Sequence, residues 1–327
     1  MVPLLFLASL AAADKCRSLV LEGGGAFGAY QAGGIIGIIQ GLPTEDTAYD
    51  IITGVSAGSL NAAAFAQFAT GDEDSAVNLM LEVWHSLTNN SQIYEEWPDA
   101  NLIEAVITKP SLFTNQPLVD LVHSILTTPL ARKVSVGTSN LDTGKFELLN
   151  ETLGTYNFGE ATICSSAIEG VFPFQNFLNN SYGDGGAIIN LDPFTAVTRC
   201  IDEYGASQDD IIVDMVFCSG SKLAPVKDSL KTPDVLSRAL EIHDYDAGMW
   251  YYFQSKRAYP RVNFRYVLVP SEPLAGSVLN FTQTPINANI ALGLKDAAAA
   301  LNGENSSSDP LVNWLGRQDR VRLSKKQ

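Results

Sequence analysis

Ser56 stands between two glycines at fixed spacing. Gly54-Val55-Ser56-Ala57-Gly58 is a G-x-S-x-G, placed where the apolar run "YDIITGV" meets the Ala-rich "SAGSLNAAAFAQFA". That pattern suits a strand turning sharply into a helix. Such a turn strains the serine backbone and lifts its hydroxyl above the sheet. The residues two before and two after must be tiny because they crowd the turn. The N-terminus of the following helix favours an anionic attacking oxygen. The other reading of the same residues is an ordinary small-residue turn.

A second chemical stretch precedes it. Residues 23–28, Gly-Gly-Gly-Ala-Phe-Gly, follow the apolar "RSLVLE" and match G-x-G-x-x-G. Such a loop holds either the pyrophosphate of a dinucleotide or the oxyanion of an ester under attack. The dinucleotide reading requires an acidic residue at the end of the next strand, to bind a ribose. Here Asp50 stands at the beginning of that strand, and its end is the serine turn. Consecutive strands joined by a helix are usually neighbours. The N–H groups of Gly24, Gly25 and Ala26 are therefore expected to face a carbonyl attacked by Ser56. One such donor stabilises an acyl-transfer transition state by roughly 3–4 kcal/mol.

A serine nucleophile needs a base. The chain has three histidines. His85 in "LEVWHSL" and His123 in "VDLVHSIL" lie in helix-like segments and read as surface or core residues. His243 in "LEIHDYD" leaves a Ser-Asp-His order open. Asp184, followed by Gly185 and Gly186, is the stronger candidate, because an Asp-Gly-Gly turn exposes a carboxylate. A plain turn between strands is the alternative.

Taken together, "EGGGAFGAYQAG" at 22–33, "GVSAGSLNAA" at 54–63 and "DGG" at 184–186 resemble the patatin-like phospholipases. "SSAIEGVFPF" at 165–174 and "SLFTNQPLVDLV" at 111–122 add to the likeness, which runs from about residue 17 to about residue 195. The resemblance implies a three-layer α/β fold with a mostly parallel central sheet flanked by helices. It implies a Ser56–Asp184 dyad that hydrolyses acyl esters without histidine, through an acyl-enzyme. Gly23, Gly24, Gly25 and Ala26 would then form the oxyanion loop. Phospholipase A or lysophospholipase chemistry on acyl glycerolipids follows, with no metal or cofactor. Three positions depart from the family pattern. Glu22 stands where Asp is usual, Phe27 where Arg or Lys is usual, and Glu169 where Pro is common. Since the family includes storage members, a secreted storage or lipid-binding glycoprotein with little activity is the second reading.

These residues need a scaffold. Residues 29–41, 74–90 and 115–127 read as helices. "RKVSVGTSNL" and "GKFELLN" read as strands joined by a turn at Asp142-Thr143-Gly144, and "IIVDMVFCSG" and "NFRYVLVP" as further buried strands. This alternation predicts an α/β fold. An acyl chain needs an apolar channel. The candidates are Ile93, Trp97, Leu102, Leu112 and Phe113, with "MWYYF" at 249–253. Wherever these are exposed, they would touch a membrane or micelle instead.

Composition narrows the partners. The 327 residues are 46% hydrophobic and carry a net charge of −15. That excludes nucleic acid, which needs clustered Lys and Arg, and docking on anionic lipid by charge. "VPLLFLASLAAA" is too short to span a bilayer and ends in small residues, so residues 1–13 are expected to be a signal peptide. Asn89, Asn150, Asn179, Asn280 and Asn305 head Asn-x-Ser/Thr triplets. Together these predict the secretory pathway, with a secreted or lysosomal/vacuolar product. The expected organisation is an acyl hydrolase domain over 14–302 and a polar, loosely attached tail over 303–327. Cys16, Cys164, Cys200 and Cys218 leave three pairings open, and Cys164 reads equally as a buried thiol.

Overall fold

The computed structural model describes residues 15–225, 231–303 and 309–324. The expected signal peptide and the Asn305 triplet lie outside them. β1 (Cys16–Leu21) leads to α1 (Gly28–Gly41), a short α2 (Thr44–Thr47) and β2 (Ile51–Val55), followed by α3 (Ala57–Ala66) and α4 (Glu73–Ser86). Then come α5 (Leu102–Thr108), α6 (Gln116–Ile125), the hairpin β3 (Lys133–Asn140) and β4 (Lys145–Asn150), and α7 (Thr155–Ser165). A second hairpin, β5 (Gln175–Phe177) and β6 (Asn180–Asp184), precedes α8 (Pro193–Tyr204), β7 (Ile211–Val216) and α9 (Thr232–Ala258). The chain continues through β8 (Asn263–Leu268), α10 (Gln283–Leu301) and α11 (Pro310–Ser324).

The eight strands form one sheet. β3, β2, β1, β7 and β8 lie side by side and parallel. The pairs β3–β4, β3–β6 and β5–β6 are antiparallel. The central strands are near-continuous apolar runs because helices cover both faces. Alternate residues serve the two cores. Leu19, Leu21 and Ile52 join one with Tyr30, Phe65 and Phe158, under α1, α3 and α7. Val20, Ile51 and Val213 join the other with Tyr252 of α9 and Leu311 and Trp314 of α11. The tail is therefore anchored where Leu311 and Trp314 are buried, which corrects the expectation of loose attachment there. Apolar residues spaced within a mostly polar segment were enough to dock it.

Of the open cysteine pairings, the fold selects Cys16–Cys200 and leaves Cys164 and Cys218 buried and free. The bond ties the start of β1 to α8 across 184 positions. Closing so long a loop is worth about 5 kcal/mol in the chain-entropy model.

The decisive feature for the site is the edge of β3. Ser135 to Asn140 pair with β4 on one side. On the other side Lys133 to Gly137 pair with β2, and Thr138 to Asn140 pair with β6. So β6 takes over the edge where β2 ends. Val55 is opposite Gly137 and Asp184 is opposite Thr138, one step further along. The last residue of β6 is thereby delivered beside the residue that follows β2, which is Ser56.

Candidate active site

Ser56 caps α3 with φ 52° and ψ −124°, a conformation L-residues seldom adopt. Its backbone is pinned from several sides. Ser56 N–H donates to Ser165 Oγ at 3.0 Å, and Ser165 donates in turn to Gly137 O at 2.7 Å. Ser59 N and Oγ both donate to Ser56 O, at 2.8 and 2.6 Å. The flanking glycines are required by contact. A Cβ on Gly58 would collide with the carbonyls of Leu21 and Glu22, and one on Gly54 with Gly58. The elbow inferred from sequence is thus a close approach of α3 to the end of β1, where the glycine loop begins.

Asp184 is buried at the end of β6. Its Oδ1 accepts from Gly186 N–H at 2.8 Å. Burial pushes its carboxyl up to about 7, while hydrogen bonds from the Ser56 side chain and the Gly186 N–H pull it down, and the Glu169 and Asp244 charges raise it further. Ser139 Oγ donates to Asp184 O at 2.7 Å and fixes the strand end. The structure therefore brings together the serine and the aspartate singled out from sequence. Among the described residues, no histidine bonds to either of them. His85 is exposed, His123 bonds to Glu160, and His243 lies beside Asp244.

The glycine loop sits over the same point. A Cβ on Gly23 would lie 2.9 Å from Ser56 Cβ. Two of the four expected oxyanion donors are already used. Gly23 N–H donates to Asn190 O at 3.0 Å and Ala26 N–H to Val278 O at 2.9 Å. This corrects the assignment of Gly23 and Ala26 as donors, because an N–H spent on a carbonyl cannot also stabilise an oxyanion at full strength. The N–H groups of Gly24 and Gly25 have no acceptor among the described residues. They are the two that remain open, and Gly25 lines a cavity together with Ser56.

Four polar residues that the sequence reading did not single out hold this geometry: Gln31, Asn61, Ser165 and Asn190. Asn190 Nδ2 donates to Gly23 O at 3.2 Å, so its side chain and backbone both grip the loop. Gln31 Nε2 donates to Glu22 O and Val216 O, and its Oε1 accepts from Asn61 Nδ2 at 2.9 Å. Asn61 Oδ1 accepts from Trp84 Nε1 at 2.9 Å. This buried chain fixes α1, which follows the glycine loop, against α3, which follows the elbow. Gln31, Asn61 and Ser165 lay in stretches that carry the resemblance, "EGGGAFGAYQAG", "GVSAGSLNAA" and "SSAIEGVFPF", whereas Asn190 did not.

Glu22, one of the three departures, is fully buried. Its carboxyl accepts from Cys218 N–H at 2.7 Å and from Ser219 N–H at 2.9 Å. It also accepts from the Ser219 hydroxyl at 2.7 Å. Burial drives it well above the usual carboxylate range, the Ser219 hydroxyl opposes that, and the Asp244 charge adds to it. Its contacts tie the end of β1 to the segment after β7. Phe27, the second departure, is buried beside the loop.

Beyond Ser56 opens an apolar cavity between α3, α4, α6 and α7. Leu60, Met80, Trp84, Leu118, Val122 and Phe172 line it. Its apolar lining suits a hydrocarbon group. Of the channel candidates, Ile93 lines it, whereas Trp97, Leu102, Leu112 and Phe113 do not. Met249 and Tyr252 belong to the second core, and Trp250 is exposed. The other candidates between Trp97 and Phe113 instead lie on a surface excursion.

The family model for patatin-like phospholipase matches residues 19–197. Among solved structures the chain is similar to VipD from Legionella pneumophila, at 12% identity and a TM-score of 0.44, over 89% of this chain and 67% of that one. No curated protein matches the chain.

Proposed function

This chain belongs to the patatin-like phospholipase family, and from that premise we propose that it is an acyl-lipid hydrolase working through Ser56 and Asp184. Asp184 accepts the Ser56 proton as the serine oxygen attacks the ester carbonyl. The oxyanion of the tetrahedral intermediate is held by the Gly24 and Gly25 N–H groups. The alcohol leaves with the proton from Asp184, and the acyl chain stays on Ser56, lying in the apolar cavity. Water then gives its proton to Asp184 and attacks the acyl-enzyme, and Asp184 passes that proton to the Ser56 oxygen as the fatty acid leaves.

The observation that carries this reading is the pairing of a strained serine with a buried aspartate whose proton affinity lies near neutrality. A carboxylate at its ordinary value would be a poor base at pH 7. The N–H groups of Gly24 and Gly25 and the cavity supply the other two requirements. A panel of phospholipids, lysophospholipids and triacylglycerols, read by mass spectrometry for released fatty acid, tests it. Ser56→Ala is expected to lose at least about 10³-fold of the wild-type rate. Equal rates for the two proteins would sink the enzyme and leave a lipid-binding or storage glycoprotein.

We also propose passage through the secretory route. The Cys16–Cys200 bond suits an oxidising compartment. Asn89 and Asn179 head exposed triplets. A mass shift on enzymatic removal of N-glycans from protein made in a eukaryotic host tests this. No shift at any of the triplets would count against it.

A further inference from the structure

Between Glu95 and Thr114 the chain leaves the body of the protein and returns. The two residues close the base of this excursion by mutual backbone hydrogen bonds, Glu95 N–H to Thr114 O at 3.0 Å and Thr114 N–H to Glu95 O at 2.9 Å. The excursion carries α5, whose sequence is Leu-Ile-Glu-Ala-Val-Ile-Thr. A capping box of Asn101 and Glu104 starts the helix securely. Its apolar residues face the wrong way for a core helix. Ile103 is 78% exposed, Val106 69% and Ile107 79%, and Ala105 alone is buried. Positions 102, 103, 106 and 107 fall on one helical face, so four large apolar side chains form one unpartnered stripe.

The base of the excursion is continuous with the acyl cavity. Ile93 lines that cavity. The ring of Phe113 lies 4.8 Å from that of Tyr94, and Tyr94 also faces Phe172 and Phe281, both cavity residues. Leu112 and Phe113 N–H donate to Gly170 O and Val171 O, next to Phe172. The charges of the excursion are Glu95, Glu96, Asp99, Glu104 and Lys109. Lys109 is bonded to Asp99 at 2.6 Å and sits over the Trp97 ring. No cation is left to draw anionic headgroups, and the net charge of −15 repels them.

We propose that α5 is a lipid-docking helix that inserts its Ile103, Val106 and Ile107 face into a zwitterionic or neutral lipid surface, next to the cavity that receives the acyl chain. The proposal builds on the acyl-hydrolase reading above. An apolar face inserted at the interface binds in proportion to the area it buries, without needing basic residues.

The test uses the full chain and the double variant Ile103→Ser/Ile107→Ser. With Ser56→Ala added to both proteins, binding to phosphatidylcholine vesicles is measured by co-sedimentation. The double variant is expected to bind at least about tenfold more weakly. With Ser56 intact, hydrolysis of dissolved p-nitrophenyl butyrate is expected to be unchanged, while hydrolysis of the vesicle lipid falls by a similar factor. Unaltered vesicle binding, binding that requires phosphatidylserine, or a wild-type dimer in sedimentation that the variant converts to monomer would each overturn lipid docking. Failure of the wild type to hydrolyse p-nitrophenyl butyrate would overturn the enzyme reading instead, and the co-sedimentation result would still decide the role of α5.

Discussion

Asp184 and Asp214 are both buried aspartates on strands of the same sheet, and they have opposite surroundings. Asp214, within β7, accepts from Arg265 Nη2 at 2.5 Å and Nε at 3.1 Å, from Tyr266 N–H at 3.0 Å and from Tyr49 Oη at 2.7 Å. A guanidinium and two further donors keep it a structural anion. Asp184, at the end of β6, has the Gly186 N–H and the Ser56 side chain, and no cation bonds to it among the described residues. Burial without a counter-charge raises its proton affinity, which is what a base acting near pH 7 needs. Burial alone therefore does not mark a reactive carboxylate. What sets Asp184 apart is burial with the cation withheld, beside the elbow serine.

The largest effects should separate the two aspartates by activity. Asp184→Asn removes the base and is expected to lower turnover roughly 10²–10⁴-fold. With the wild type, kcat/KM should climb tenfold per pH unit below about 7 and level above it, since the ionised form of Asp184 is the active one. A wild-type profile flat between pH 5 and 8 would break the comparison.

Stability should separate them next. A carboxyl whose folded value exceeds its unfolded one favours the fold when protonated. For Asp184 that contribution is complete below about pH 4 and is lost as pH rises through about 7. A rise of about 3 units corresponds to about 4 kcal/mol. Urea titrations from pH 4 to 8 should show this decline in the wild type and a flatter course in Asp184→Asn. Arg265→Leu, which strands the Asp214 anion, is expected to destabilise by about 3–5 kcal/mol. Turnover per folded molecule should be preserved in that variant. If Arg265→Leu instead abolished turnover in a folded protein, the two sites would not be separable as argued.

The smallest effect sharpens the description of Asp184 itself. The Glu169 charge raises the Asp184 carboxyl, so Glu169→Gln should move the midpoint of the pH–rate profile down. A midpoint that moved up would show that Glu169 acts on Asp184 other than through its charge. Because Glu169 is one of the departures from the family pattern, this variant also tests whether that departure tunes the base.

Much of the scaffold was legible because it is written in local periodicity. β1, α1, β2, α3 and the β3–β4 hairpin fall close to where apolar runs, small residues and the Asp-Thr-Gly turn place them. Other features depended on which surfaces meet. Nothing in "LIEAVIT" says whether its apolar stripe faces a core or solvent. Nothing in the glycine loop's sequence shows that Asn190 O and Val278 O, distant along the chain, occupy the N–H groups of Gly23 and Ala26. Cys16 found Cys200 because β1 and α8 share a face of the sheet.

By itself the sequence determined the turn that carries Ser56. Gly54, Ser56 and Gly58 make the elbow recognisable within five residues, although the room at Gly58 is also set by the distant Leu21 and Glu22 carbonyls. The tertiary structure decided whether a carboxylate lies beside that serine. Asp184 reaches it because β6 pairs antiparallel with β3 from Thr138 onward, one step past the end of β2. Strand register is set by the burial of whole faces, so a carboxylate 128 positions away along the chain becomes the serine's neighbour only when the sheet is assembled.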